Sequence, residues 1–402
     1  MDDMARTVLV TGGSIAGPAV AWALHRAGFA PTLMERAPQQ RTAGQNIDIR
    51  DAGHQVIEAM GLREAVLAAR TGEVGTRFVD RAGRPYGEHP AETGHDGPTA
   101  EMEILRGDLA ELLLSLTKDE IPHRYGDHVT AVEQFDDGVE VTLASGGQER
   151  YDLLVVAEGR RSATRQIVFG DEVRWRDLGE YIAYGTIDRT PEDDDWWRWM
   201  TTTGSRMVSL RPDAYGTIRA NLAFLSPPIG LETLPFEAQL HVLRQRYADV
   251  GWQSERVLDG FAARPEEFYL ERFTQVRLPA YTKGRVVLAG DAAWASGPSG
   301  MGTTLALVGA YVLAGELAQG WDNRHLAQAF GGYERVMRPY AEKVQAFPPG
   351  VPRIIFPKSE AGLRVLETAH RIAASGPARR LAHRALLSRS SPMPELPVYA
   401  SV

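Results

Sequence analysis

The 402-residue chain contains no cysteine. That excludes disulfide frameworks, thiolate metal sites and every flavin or thiol mechanism that runs through a redox-active dithiol. Lysine is scarce: Lys118, Lys283, Lys343 and Lys358 are the only four, so arginine carries the basic charge. There is no excess of that charge either. Against 44 basic side chains stand 52 acidic ones, for a formal net charge of -8, which argues against nucleic acid as a partner. Long apolar runs are missing too. The longest, Thr304 to Ala314, is too short for a bilayer and is followed by Glu316. The opening residues carry no apolar signal region. A cytoplasmic protein with no stable membrane association is expected, as a monomer or homodimer. The ten histidines show no metal-ligand spacing, so no metal is expected, and His123 and His128 read as surface residues. With 44% hydrophobic and 24% charged residues, the chain can fold as a globular protein with room for two domains.

What is present begins at Thr7. Thr7-Val8-Leu9-Val10-Thr11 is an apolar, β-branched run without polar alternation, the pattern of a buried parallel strand. It stops at Gly12-Gly13-Ser14-Ile15-Ala16-Gly17-Pro18. A helix is predicted over Ala19 to Ala27, closed by Gly28, and a second strand over Ala30 to Met34, ending in Glu35. Strand, glycine turn, helix, strand and acid form a dinucleotide-binding fingerprint. Gly12 permits the tight turn and Gly17 the close approach of helix and sheet. The helix-start amides can face a pyrophosphate, and Glu35, 23 positions after Gly12 (35 − 12), suits a ribose hydroxyl. Ser14 departs from the pattern by standing at the middle glycine position.

Two later segments say which dinucleotide. Val286-Val287-Leu288-Ala289-Gly290-Asp291 is a buried strand ending in an acid. Pro298-Ser299-Gly300-Met301-Gly302-Thr303-Thr304 follows, and then a helix over Leu305 to Leu317. The carboxylate of Asp291 can hold the hydroxyls of a ribityl chain. The helix amides beyond can face the electron-rich pyrimidine end of a flavin. A nicotinamide-only dehydrogenase has no use for that segment. Between the two lies Leu153-Leu154-Val155-Val156-Ala157-Glu158-Gly159-Arg160-Arg161, another strand running into an acid-glycine turn.

In this order and spacing the three segments resemble the single-component (class A) FAD-dependent aromatic monooxygenases of the p-hydroxybenzoate hydroxylase fold, including polyketide-tailoring hydroxylases and tetracycline-inactivating monooxygenases. The resemblance runs from about Thr7 to Phe347. It implies an α/β fold: a Rossmann-type FAD-binding domain, an inserted mainly antiparallel β-sheet substrate domain and C-terminal helices. It also implies FAD as cofactor, NADPH or NADH as reductant, and O2, with oxygen delivered from a flavin hydroperoxide to a small aromatic or polycyclic substrate. By the same likeness, Gly12, Ser14, Ile15, Ala16, Gly17, Glu35 and Arg36 flank the ADP half of FAD. Arg106, at a predicted helix start, reaches the cofactor, as do Gln45, Asn46, Val129, Glu158 and Gly159. Asp291 binds the ribityl chain, and Pro298, Gly300, Met301, Gly302, Thr303 and Thr304 surround the flavin end. Arg50 is a weaker candidate for contact with FAD or the reductant. Three positions depart from the family pattern: Glu158 stands in place of aspartate, Trp294 in place of histidine and Thr304 in place of asparagine. The longer Glu158 bears on reductant docking.

The implied division is a discontinuous FAD-binding domain (1–75, 97–172 and 276–345), a substrate-binding sheet (76–96 and 173–275) and a C-terminal helical cap (346–402). In the sheet, a hairpin is predicted around Arg81-Ala82-Gly83. Tyr181–Ile187, Arg206–Leu210, Tyr215–Phe224 and Phe268–Thr274 alternate as half-buried strands. Tyr184, Met207, Ser209, Arg211, Asn221, Phe224, Trp294 and Pro298 are candidate substrate contacts. Trp196-Trp197-Arg198-Trp199 reads as a sheet edge or pocket lid. No side-chain base can be named. Dehydrogenation, epoxidation or ring-opening oxygenation by a related flavin enzyme remains open, as does a non-catalytic flavin-binding protein.

Overall fold

The computed structural model describes residues 6–40, 44–91, 96, 99–320, 326–346, 354–375 and 396–400. The chain opens with β1 (Thr7–Thr11), α1 (Ala16–Arg26) and β2 (Ala30–Glu35). Next come β3 (Asn46–Ile49), α2 (Ala52–Ala59), α3 (Arg63–Ala68), β4 (Gly75–Val79), β5 (Pro85–Pro90), β6 (Met102–Leu105) and α4 (Arg106–Ser115). Then follow β7 (His123–Tyr125), β8 (Val129–Gln134), β9 (Val139–Leu143), β10 (Gln148–Tyr151), β11 (Leu153–Val156), α5 (Ala163–Phe169), β12 (Arg174–Asp188), β13 (Trp196–Thr202), β14 (Arg206–Pro212) and β15 (Thr217–Leu225). The rest comprises α6 (Phe236–Tyr247), α7 (Ser254–Ala263), β16 (Tyr269–Arg277), β17 (Thr282–Lys283), β18 (Val286–Leu288), α8 (Asp291–Trp294), α9 (Gly302–Gly320), α10 (Leu326–Gln345) and α11 (Glu360–Ala374).

Two sheets organise the molecule. The first has six strands in the order β17-β18-β11-β1-β2-β7, and every neighbouring pair is parallel except β17–β18. β1 shows no polar alternation because it is covered on both faces, and Val8, Leu9 and Val10 are fully buried. The predicted first helix begins three residues earlier than its periodicity suggested, because Pro18 is tolerated within a first turn. The predicted helix at Leu305–Leu317 is likewise longer, Gly302–Gly320.

The second sheet has seven strands in the order β16-β12-β15-β14-β13-β4-β5. It is antiparallel apart from the β13–β4 contact. The tryptophan-rich stretch is therefore an interior strand, not a sheet edge. The sheet is two-faced. Tyr181, Ala183, Val208, Leu210, Leu222 and Phe224 pack with Leu243, Tyr247, Val257 and Phe261 of α6 and α7 in one core. The Tyr247 hydroxyl donates to the Ala223 carbonyl at 2.6 Å and locks α6 to that face. Residues of opposite parity look toward the first sheet. Among the described residues, no helix is long and apolar enough to cross a membrane.

The tail returns to the second sheet. The ring of His370, on α11, stacks on Phe78 of β4 at 3.7 Å, and Phe356 packs with Ile182, Met207, Ala223 and Phe273. The Pro348–Gly350 break, and the part of the predicted tail helix beyond Ser375, lie outside the described residues.

Candidate active site

A single cavity of about 860 Å³ runs from the tip of β1 to the open face of the second sheet. At its first end the chain leaves β1 through Gly12, whose φ is +105°. A Cβ there would lie 2.3 Å from the Ala157 carbonyl oxygen, and one at Gly17 would lie 1.7 Å from the Gly12 oxygen. Neither clash can be relieved by a rotamer, so both positions require glycine. No side chain caps α1, and its first turn is left facing the cavity beside Ser14, Ile15 and Ala16. Glu35 closes the other side, accepting from the Gly13 amide at 2.6 Å and the Ala37 amide at 2.8 Å. Arg106, the first residue of α4, donates to the Ser14 hydroxyl at 3.0 Å. Serine at the middle glycine position thus anchors an arginine that reaches across the cradle.

Midway along, Gly290 (φ +59°) turns the chain out of β18 into Asp291, whose side chain opens into the cavity. Surrounding protein raises the Asp291 carboxyl above the ordinary aspartate value, and Arg106 opposes the shift. Pro298, Gly300, Gly302 and Thr303 line the same stretch, at the start of α9. This donor set suits a long ligand with an anionic middle and a polyhydroxyl segment: helix amides and Arg106 for phosphate, Asp291 and Glu35 for hydroxyls.

The second sheet supplies the far wall as cross-strand rows. One row runs Tyr269, Tyr184, Asn221, Ser209, Trp199 over five strands. Tyr184 and Tyr269 stack at 4.7 Å. The Ser209 hydroxyl, fully buried, takes hydrogen bonds from Trp197 Nε1 at 3.3 Å and Asn221 Nδ2 at 3.2 Å, while Asn221 Oδ1 and Trp199 Nε1 keep no partner among the described residues. The next row, Glu271, Ile182, Ala223, Met207, is mostly apolar. Arg160, from the turn after β11, ties the two sheets together, donating to Glu271 at 2.8 Å and Thr274 at 3.0 Å.

Arg211 and Arg219, opposite one another on β14 and β15, are both already neutralised. Arg219 bonds Asp213 at 3.0 Å and Thr186 at 2.6 Å. Arg211 reaches Glu73 at 2.5 Å, Asp48 at 3.1 Å and Glu103 at 3.6 Å, and its guanidinium lies 4.0 Å from the Trp197 ring centroid. Asp48 and Glu103 are directly opposed on β3 and β6, a like-charge pairing that Arg211 makes tolerable. Burial pushes the Asp48 carboxyl up, but Arg211 and Arg50 outweigh it and hold Asp48 below the ordinary range. Burial wins at Glu103, which rises to about 7 despite Arg211.

The cavity also receives Arg36, Gln45, Asn46, Val129, Glu158 and Gly159 from the predicted set. Others fall elsewhere. Phe224 belongs to the opposite face, stacked on Tyr181 at 5.4 Å, because it is three residues from Asn221 and strand parity flips it. Trp294 is in the core, edge-on to Tyr281 at 5.0 Å, since α8 turns it away from Asp291. Ser209 sits behind the wall. Gly17 lies beneath the turn, and Met301 packs on the core. Thr304 is fully buried and accepts from the Arg50 amide at 2.9 Å, while the Arg50 side chain turns to Asp48 at 2.7 Å. Glu158 does not reach outward: it accepts from Ser162 at 2.7 Å and from the Thr164 amide at 3.1 Å, organising the start of α5. His128 lines the cavity and His123 is half-buried, bonded to Thr117 at 3.0 Å, so neither is a simple surface residue. Sequence reasoning missed Glu180, Tyr269, Glu271 and Phe356, and gave Trp197 and Trp199 no firm place. For the tryptophans and Tyr269, strand parity was the available signal.

The cradle, the Gly290-Asp291 turn and the antiparallel wall together define a flavin-dependent monooxygenase with the class A aromatic-hydroxylase fold. The chain belongs to the FAD binding domain family, whose profile matches residues 5–347. It is 37% identical over 345 residues to a flavin-dependent monooxygenase from an unknown prokaryotic organism, covering 85% of this chain and 88% of that one. It is 34% identical over 392 residues to the flavin-dependent monooxygenase eupH of a Phoma species, covering 90% of each. Among solved structures, the tetracycline destructase Tet(55) superposes with a TM-score of 0.81 at 32% identity, covering 99% of this chain and 100% of that one. Klebsiella pneumoniae HpxO, solved with FAD and uric acid, shares the fold at a TM-score of 0.75 and 20% identity, covering 94% and 95%.

Proposed function

We propose that the protein uses NADPH or NADH and O2 to hydroxylate a flat, largely uncharged aromatic or polycyclic substrate of the polyketide type, with FAD in the cavity. Bound FAD supplies the reducing equivalents and the site of O2 activation. In this reading Ser14, Arg106 and the first turn of α1 hold its pyrophosphate, Glu35 its ribose, Asp291 its ribityl chain, and the start of α9 its pyrimidine edge. The second sheet binds and orients the substrate. Tyr184 and Tyr269 offer a stacking surface, Asn221 Oδ1 an acceptor and Trp199 Nε1 a donor. Ile182, Met207, Phe273 and Phe356 exclude water from the reacting centre.

One observation carries the substrate class: Arg211 and Arg219, the two arginines between residues 207 and 224 on the substrate strands β14 and β15, are already bonded to buried carboxylates. A small benzoate needs a cation left over for its charge, since burying an unpaired carboxylate costs several kcal/mol. A neutral ring system needs only the stacking wall. The test is anaerobic mixing of the yellow holoprotein with NADPH or NADH, with and without polycyclic phenols, followed by oxygen consumption. Acceleration by polycyclic phenols is expected. Acceleration by simple benzoates alone would overturn the substrate assignment, and no reduction by either nicotinamide would overturn the reductant.

A further inference from the structure

Glu180 is out of keeping with the rest of the cavity. It lies on β12 beside Gly179, which adopts φ +76° at the register shift between Asp177 and Tyr181. Leu178, Glu180, Ile182 and Tyr184, alternate residues of the strand, all line the cavity. The Glu180 residue is only 6% exposed. Its carboxylate makes no hydrogen bond or ion pair among the described residues. Other buried acids around the second sheet are committed: Asp48, Glu73 and Glu103 to Arg211, and Asp213 to Arg219. A buried carboxyl without a hydrogen-bond partner is costly to keep in either protonation state and is favoured where a ligand completes it.

We infer that Glu180 is the catalytic base of this site, taking the proton of a ring hydroxyl on the substrate. The inference rests on the hydroxylated aromatic substrate proposed above. The substrate O–H bond breaks and an O–H bond forms on Glu180. The electron pair stays on the substrate oxygen and delocalises into the ring, which becomes the better nucleophile toward the oxygen that the monooxygenase reaction delivers. Transfer leaves the former hydroxyl as a ring ketone. The ring C–H proton then passes to solvent, balancing the proton taken up where the delivered oxygen's former bond has broken; the aromatic oxyanion is restored and recovers its proton from Glu180, so the residue ends as it began.

The surroundings fit a base matched to a phenol. Burial, and next the Glu271 carboxylate on β16, push the Glu180 carboxyl up to about 8. Arg160 is held by Glu271. The other groups coupled to Glu180 are the hydroxyls of Tyr184 on its own strand and Tyr247 on α6, both raised by burial and hence neutral. An ordinary carboxylate is some six units below a phenol, whereas Glu180 is within about two, where proton transfer is efficient in both directions. Tyr184 and Tyr269 cannot serve, since neutral phenols do not accept such a proton, and Asp291 is coupled to Arg106 in the part of the cavity assigned to the ribityl chain.

The test binds quinizarin, a dihydroxyanthraquinone that is orange when neutral and violet as its anion, to the FAD-loaded full-length protein at about pH 8. The unaltered protein should turn bound quinizarin violet. Glu180→Gln, which keeps the shape, should bind it within about threefold as tightly and leave it orange, and Glu180→Asp should restore part of the violet band. With a turned-over polycyclic phenol, Glu180→Gln should lower kcat about a hundredfold, leave KM within threefold, and abolish the rise of kcat with pH that ends near 8. Quinizarin bound with the same colour in both proteins overturns the role of Glu180 and leaves the substrate class standing. Failure of every polycyclic phenol to bind the unaltered protein overturns the substrate class, and this inference with it.

Discussion

The nucleotide half and the substrate half of this molecule do their work with different parts of the chain. Around β1 the cofactor cradle is made of backbone: a turn that only glycine can take, helix amides, and a few side chains that reach in. Around β12 to β16 the wall is made of side chains, sorted by strand parity and neutralised by partners far away in sequence. A backbone site fails when a single atom is added. A side-chain site fails when a charge is removed.

The largest effect should come from the charge side. Arg211→Met strands Asp48, Glu73 and Glu103 in the interior and should cost about 3–5 kcal/mol in urea unfolding near pH 8. The cost should shrink toward pH 6 as Glu103, poised at about 7, takes up a proton. A pH-independent loss under about 1 kcal/mol would mean that Arg211 is not what neutralises the three acids. On the backbone side, Gly17→Val should cost about 1–3 kcal/mol of stability and release FAD. Full FAD retention, read by flavin fluorescence, would remove the cradle from the argument. Asp291→Ala should separate binding from folding. FAD affinity should fall by about 1–3 kcal/mol while unfolding of the FAD-free protein barely changes.

Glu180→Gln should do the reverse. The raised carboxyl keeps its proton in the folded state while the unfolded chain gives it up, so the parent loses stability as pH climbs from 4.5 to about 8. The glutamine variant escapes that loss and should be more stable by about 1–3 kcal/mol above pH 8, with the difference vanishing near pH 4.5. Equal stability at both ends would show the carboxyl to be ordinary. Smallest is Phe224→Leu, expected to cost about 1 kcal/mol of stability with no change in KM. A changed KM would return Phe224 to the pocket.

The same contrast explains what could be read from the sequence. Gly12, Gly17 and Asp291 announced themselves because their geometry admits few residue types, and the order of strand, turn and helix gave the first sheet. In the second sheet the strands were legible from alternation, but not their faces. Asn221 and Phe224 were both expected at the substrate, although residues three apart on a regular strand cannot share a face. Trp294 was misplaced because nothing in Asp291-Ala292-Ala293-Trp294 says which way a one-turn helix rotates it. Glu158 was read as a cofactor contact bearing on reductant docking, and its hold on Ser162 and Thr164 was not seen because these are ordinary turn residues. Arg211 could be picked out as a possible clamp, yet the three acids that occupy it come from β3, β6 and the approach to β4. Glu180 left no signal, since its distinction is a missing partner and it lies one residue before the strand read at Tyr181–Ile187.

The lock of Tyr247 onto the far face of the second sheet has a consequence for how this enzyme can change. Stability is vested in the residues packed under α6 and α7, and on the proposed function selectivity belongs to their alternate neighbours along the same strands. Positions 182, 184, 199, 207 and 221 can therefore be varied together in a library while the buried layer beneath is left untouched. New substrate ranges become reachable by surface editing of one wall, with no redesign of the scaffold behind it.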